Sequence, residues 1–170
     1  MNKLKLNSDK TEILVFSARH RPSPSLSYIN VCDDVIGLST KARNVGIIMD
    51  SNVTMESQVL TICKSGFYYL RKISKVPKYL SLKSAEILVH ALVTSRRLNF
   101  GNALLHGLSN TALERIEKVQ NAAARIVTLT RKRDHITPVL FNLHWQLIKE
   151  RIQYKILLIT FKALSGQAPG

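Results

Sequence analysis

Residues 56–77, ESQVLTICKSGFYYLRKISKVP, decide the fold. Val59, Ile62, Cys63, Gly66, Leu70 and Ile73 recur there at three- and four-residue steps, which places them on one stripe of an α-helix. Pro77 marks the end, because proline brings no amide to continue the ladder.

The other face of this helix is basic. Between Ser57 and Ala85 stand six Lys or Arg (Lys64, Arg71, Lys72, Lys75, Lys78 and Lys83) and no acid. Lys64, Tyr68, Arg71 and Lys75 are spaced four, three and four, so they share a face opposite the apolar stripe. A cationic face with an aromatic suits tracking a phosphate backbone, with Tyr68 against a sugar or base. A merely solvated face is the competing reading. The absence of acids weakens it, since helices built only for solubility mix signs.

Before this helix the period is different. From Thr11 to about Asp50 short β-branched runs alternate with turn residues. Strands are expected at Ile13 to Phe16, Leu26 to Val31 and Val45 to Met49, with Gly46 inside the last as a bulge or close backbone approach. Ser17 to Ser27, with Pro22 and Pro24, reads as a basic loop. After Pro77, Ser81 is placed to cap a helix reaching Arg97, whose stretch Ile87 to Val93 is apolar enough for burial on most sides. Thr111 and Glu114 fit a capping box for a helix with Leu113, Ile116, Val119, Ala123 and Ile126 inward. A short helix follows at Thr137-Pro138, and a last one runs from about Lys149 to Leu164 with Ile152, Ile156, Ile159 and Ala163 inward. The expected class is α+β, mainly α: a small antiparallel sheet, then a bundle of about five helices.

The 170 residues carry 25 Lys and Arg against 11 Asp and Glu, a formal charge of +14. Such an excess concentrates polyanions, so nucleic acid or an anionic membrane face is the expected partner. No apolar stretch is long enough to cross a bilayer, and no secretory signal opens the chain; a nuclear or cytoplasmic protein without a membrane partner is expected. The two cysteines, Cys32 and Cys63, form no CxxC pair and read as small apolar residues.

Chemistry is hard to find. Asp33-Asp34 invites a two-metal reading, which needs a third carboxylate on a neighbouring strand. Asp9, Glu12 and Asp50 are the nearby acids and none has a motif around it, so the pair reads as a solvated turn. Of the five histidines, His90 reads as a core residue, while His135 and His144 flank a helix start and are expected to bond backbone groups. None of them has ligand spacing. No catalytic residue, metal or cofactor is expected. Arg131-Lys132-Arg133 is a second basic cluster, in a loop that reads equally as a linker.

Several segments carry a resemblance. Asn2-Lys3-Leu4-Lys5-Leu6-Asn7 with Lys10-Thr11-Glu12, then Asn44-Val45-Gly46-Ile47 with Asp50, resemble consecutive motifs of the reverse transcriptases of non-LTR (LINE-type) retrotransposons. Val119-Gln120-Asn121-Ala122-Ala123-Ala124-Arg125, Asp134-His135-Ile136-Thr137-Pro138, Leu143-His144-Trp145 and Arg151-Ile152 with Tyr154-Lys155 are similar to the helical region that follows, in the same order. The resemblance implies the end of a polymerase palm with its primer-grip hairpin over residues 1–54, and a helical thumb with downstream helices over 55–170. It implies Lys10 near the nucleotide site, Gly46 in the primer grip, and Lys64, Tyr68, Arg71, Lys72 and Lys75 on a template–primer duplex of RNA or DNA. In that family the metal-binding Asp-Asp precedes the segment Asn2 to Asn7. Asp33 and Asp34 are then a decoy, and the fragment is non-catalytic without the upstream polymerase portion.

The sequence also departs from the pattern. Asn99-Phe100-Gly101-Asn102 stands where Asp-Tyr-Cys-Asn is usual, Gln146-Leu147 replaces Leu-Pro, and the family continues beyond Gly170, as in a degenerate remnant. The alternative expectation is a co-opted small basic nucleic-acid-binding helical module with no polymerase role.

Overall fold

The structure, a computed structural model, describes residues 7, 10–17, 26–31, 34–76 and 80–167. The chain divides into two compact units, residues 1–58 and 59–170.

The first unit holds the strands β1 (Ile13–Leu14), β2 (Tyr28–Val31), β3 (Asp34–Ser39), β4 (Lys41–Asn44) and β5 (Ile47–Asp50). β2 and β3 pair antiparallel with Val31 opposite Asp34, while β1 lies parallel to β3 on its other side, Ile13 opposite Leu38. β4 and β5 form an antiparallel hairpin, Asn44 opposite Ile47. Two strands, β3 and β4, escaped the sequence pattern. In β3 Asp34 and Gly37 bracket the strand formers Val35 and Ile36 and leave too short a run to stand out, while β4 (Lys-Ala-Arg-Asn) has no β-branched residue, so pairing decided both.

Gly46 is not inside a strand. It is the second residue of the hairpin turn, with φ 82° after Val45 at φ 47°. Two successive positive φ values are what a two-residue hairpin loop of the favoured hand requires. Glycine adopts them freely and valine does not, so Val45 is strained.

Asp50 organises the exit from β5. Its carboxylate accepts the amides of Thr54 (2.9 Å) and Met55 (2.8 Å) and the Thr54 hydroxyl (3.0 Å). Gln58 in turn accepts the Ile48 amide at 3.0 Å.

The helices are α1 (Glu56–Ile73), α2 (Leu82–Val89), α3 (Asn110–Thr128), α4 (Thr137–Asn142) and α5 (Ile148–Leu164). α2 continues as a π-helical stretch, His90–Leu98, and a 3-10 turn spans Asn102–Leu105. Ser81 caps α2 as its position foretold, accepting the Ser84 amide at 3.2 Å. α3 is capped by Ser109, which accepts the Ala112 amide at 3.3 Å, and not by Thr111, whose hydroxyl meets Ser109 at 3.0 Å.

α3 is the central helix of the second unit, adjoining α2, the π-helical stretch, α4 and α5. Ile116, Val119 and Ala123 are buried as expected, and Leu113 and Ile126 are half-buried. α1 meets α3 at Gly66, and Cys63, half-buried, lends its thiol to the Arg115 carbonyl at 3.4 Å. Burial, the larger effect, pushes the Cys63 thiol pKa up, and the Arg115 charge offsets part of it. Trp145 is buried, as an anchor between α4 and α5 should be.

Three burial expectations fail. Ile87 is exposed because α2 buries only Ala85 and Val89. Ile159 and Ala163 are exposed because α5 seats only its first turns, through Ile148 and Ile152. His90 is half-exposed beside Glu86 (3.5 Å) and not a core residue.

Candidate nucleic-acid interface

α1 separates its two faces as its spacing predicts. Val59, Ile62, Gly66, Leu70 and Ile73 are buried, while Lys64, Tyr68, Arg71, Lys72 and Lys75 are exposed. Among the described residues no carboxylate comes within ion-pair distance of these cations; the ion pair recorded there is His90 with Glu86. Their charge therefore faces water uncompensated. Lys78 lies outside the described residues.

The aromatic on this face is already engaged. Lys72 Nζ stands 4.6 Å from the centre of the Tyr68 ring. Hydrogen bonding to Tyr68, then its charge, pushes the Lys72 pKa above its ordinary value. Tyr68 meets Tyr69 edge-on at 5.3 Å, and Arg97 lies over the Tyr69 ring, also at 5.3 Å. Tyr68 is 48% exposed, so an edge remains available, but a base could stack on its Lys72 side only by displacing the ammonium. The expected sugar or base contact is thus narrowed to the open edge.

Arg97 was not foreseen as part of this surface. Arg96-Arg97 closes an apolar helical run, and nothing in one-dimensional spacing says that the second guanidinium reaches back to α1.

No family model, curated protein or solved structure matches this chain.

The remaining site residues fall in the first unit. Lys10 is exposed, and its amide donates to the Asn7 carbonyl at 3.1 Å. Its neighbours build structure: the Thr11 hydroxyl donates to the Asn7 carbonyl (2.8 Å), and Glu12 accepts the Arg43 amide of β4 (2.9 Å). Gly46 sits at the hairpin tip, with exposed Val45 beside it. Asp34 is exposed at the head of β3; Asp33, Cys32 and His20 lie outside the described residues, as do Asn2 to Leu6.

The helical segments that carried the resemblance have structural work. Val119 faces Gly66, and buried Gln120 donates to the Gln146 carbonyl at 2.7 Å. Arg125 donates to the carbonyls of Arg131, Lys132 and Asp134 at 3.3, 3.3 and 2.8 Å. The loop of Arg131-Lys132-Arg133 is therefore pinned to α3 and is not a free linker, although all three side chains are exposed. His135 and His144 are exposed. No helix among the described residues is long and apolar enough to cross a membrane.

Proposed function

We propose that this chain is a non-catalytic piece of a non-LTR retrotransposon reverse transcriptase that holds the sugar–phosphate backbone of a template–primer duplex along α1. The observation that carries the proposal is the exposed, acid-free face of Lys64, Arg71, Lys72 and Lys75 set opposite the buried residues Val59, Ile62, Gly66, Leu70 and Ile73. The ordered resemblance of the chain's motifs to that family supports the origin.

Backbone contact needs only cations at phosphate spacing and no reading of base edges, so binding is independent of sequence. No catalytic role falls to these residues. Phosphoryl transfer is positioning plus charge stabilisation by metal ions, and two acids of the first unit are committed to holding its strands and loops, Glu12 on Arg43 and Asp50 on Thr54 and Met55.

Fluorescence anisotropy of a labelled primer–template duplex tests the binding. The parent should bind at micromolar concentration, and the triple variant Lys64→Ser, Arg71→Ser, Lys75→Ser should bind several-fold more weakly on every sequence. Primer extension with magnesium or manganese should stay at background. Extension that disappears in Asp34→Ala would overturn the non-catalytic part.

A further inference from the structure

A cleft of about 360 Å³ opens in the second unit between the turn at Asn99–Asn102 and the outer face of α5. Arg151, Tyr154, Lys155 and Leu158 line it at steps of three, one and three, the near face of one helix, and no acid lines it. It shares no residue with the basic face of α1.

Arg151 is the unusual member. It is half-buried, and its guanidinium donates to the Asn99 side-chain oxygen at 2.9 Å and to the Gln146 carbonyl at 3.4 Å. Both acceptors are neutral. Burial pushes its pKa down, the direction taken by a cation that has lost water without gaining an anion. A guanidinium carries five N–H donors in a flat fork, so donors remain after these two contacts. Lys155, one turn on, adds a second cation, this one exposed, and His144 also lines the cleft. Asn102, only 4% exposed, also lines the cleft, and its amide oxygen has no hydrogen-bond partner among the described residues.

We propose that this cleft is a binding site for a phosphate monoester on a nucleoside, gripped by Arg151 and Lys155. The fork of Arg151 matches two phosphate oxygens, and a monoester dianion suits two cations better than the single charge of a phosphodiester. Tyr154 offers a ring for the attached sugar or base, and the carboxamides of Asn102 and Gln146 offer donors and acceptors to its polar edge. The monoester has two sources, a free mononucleotide and the phosphorylated end of a strand.

Calorimetric titration separates them with 5′-AMP, adenosine, and one short oligonucleotide bearing either a 5′-phosphate or a 5′-hydroxyl. The phosphorylated oligonucleotide should bind at least tenfold tighter than its hydroxyl twin, and AMP tighter than adenosine. Comparable affinities for AMP and the phosphorylated strand assign the free nucleotide; a strand preference assigns the strand end. Lys155→Gln changes an exposed residue and should cut the phosphate preference several-fold. Asn99→Asp puts a carboxylate into the Arg151 fork, so it should raise the melting temperature and abolish the phosphate preference. The α1 triple variant should keep that preference, and Lys155→Gln should keep duplex binding, so the two sites fail separately. Equal binding of the phosphorylated and hydroxyl strands by the parent would overturn the proposal, as would a preference that survives Asn99→Asp.

Discussion

A Cβ built on Gly66 of α1 would lie 2.6 Å from Cγ1 of Val119 on α3, closer than real carbon contacts allow. The two helices approach closely because the sequence leaves out one methyl group. Val119 is fully buried and, being β-branched, has little rotamer freedom to withdraw.

Gly66→Ala therefore sets two effects against each other. Alanine gains about 1 kcal/mol of helix propensity over glycine, but overpacking a tight core costs about 1–3 kcal/mol. Gly66→Ala should be destabilised by about 1 kcal/mol net in denaturant unfolding. Val119→Ala in the same chain should recover most of that loss, a coupling that a double-mutant cycle measures. A stabilised Gly66→Ala single variant would show that α1 stands further from α3.

The Asp50 carboxylate makes acid sensitivity specific. Burial, the largest single influence, pushes its pKa up, yet the Thr54 and Met55 amides, the Thr54 hydroxyl and the Asn52 amide together hold it below its ordinary value. A group depressed in the folded state adds stability that is complete above the unfolded pKa, near 3.9, and is lost as pH falls through the folded pKa. Asp50→Asn should cost about 1.5–3 kcal/mol at pH 7, the range for hydrogen bonds to charged groups. The gap between parent and variant should narrow as pH falls from about 5 towards 2. A gap that stays constant with pH would mean the carboxylate is not the cause.

Trp145 ties α4 and α5 to α2. Its amide donates to the Leu140 carbonyl (2.9 Å), its indole N–H reaches Glu86 Oε1 (3.4 Å), and its ring lies 5.2 Å from that of His90. Truncating a buried tryptophan to alanine costs about 3–5 kcal/mol, a large part of a domain's roughly 5–15. Trp145→Ala should melt without a cooperative transition in calorimetry. A sharp transition at the parent temperature would place this side chain outside the core.

Much of the helical unit was legible because its signals are local. The stripe from Val59 to Ile73, the Ser81 cap and the proline start at Thr137 each follow from spacing or turn chemistry within a few residues. What escaped depends on partners far along the chain. β4 is a strand because Lys41–Asn44 pairs with Ile47–Asp50, not because its residues favour one. The outer half of α5 has helical periodicity, but periodicity cannot say that Ile159 would find nothing to cover it; it is 50% exposed.

The basic face of α1 could be read directly from the sequence, since an acid-free run at helical spacing needs no tertiary information. Its link to Arg97 through Tyr69 could not, because that contact spans 28 residues, from position 69 to 97. The cleft at Arg151 was equally hidden. Asn99, where the resembled family has aspartate, leaves the guanidinium on a neutral acceptor, which only the 2.9 Å contact reveals.

The salt dependence of duplex binding tests the central claim most directly. Each phosphate neutralised on a DNA duplex contributes roughly 0.9 to the slope of log affinity against log salt. Replacing Lys64, Arg71 and Lys75 with serine should flatten the slope by about 2 to 3 units, with affinity falling by a similar factor on every duplex sequence. Parallel slopes for parent and triple variant would contradict the account and leave the α1 cations as a solvated face.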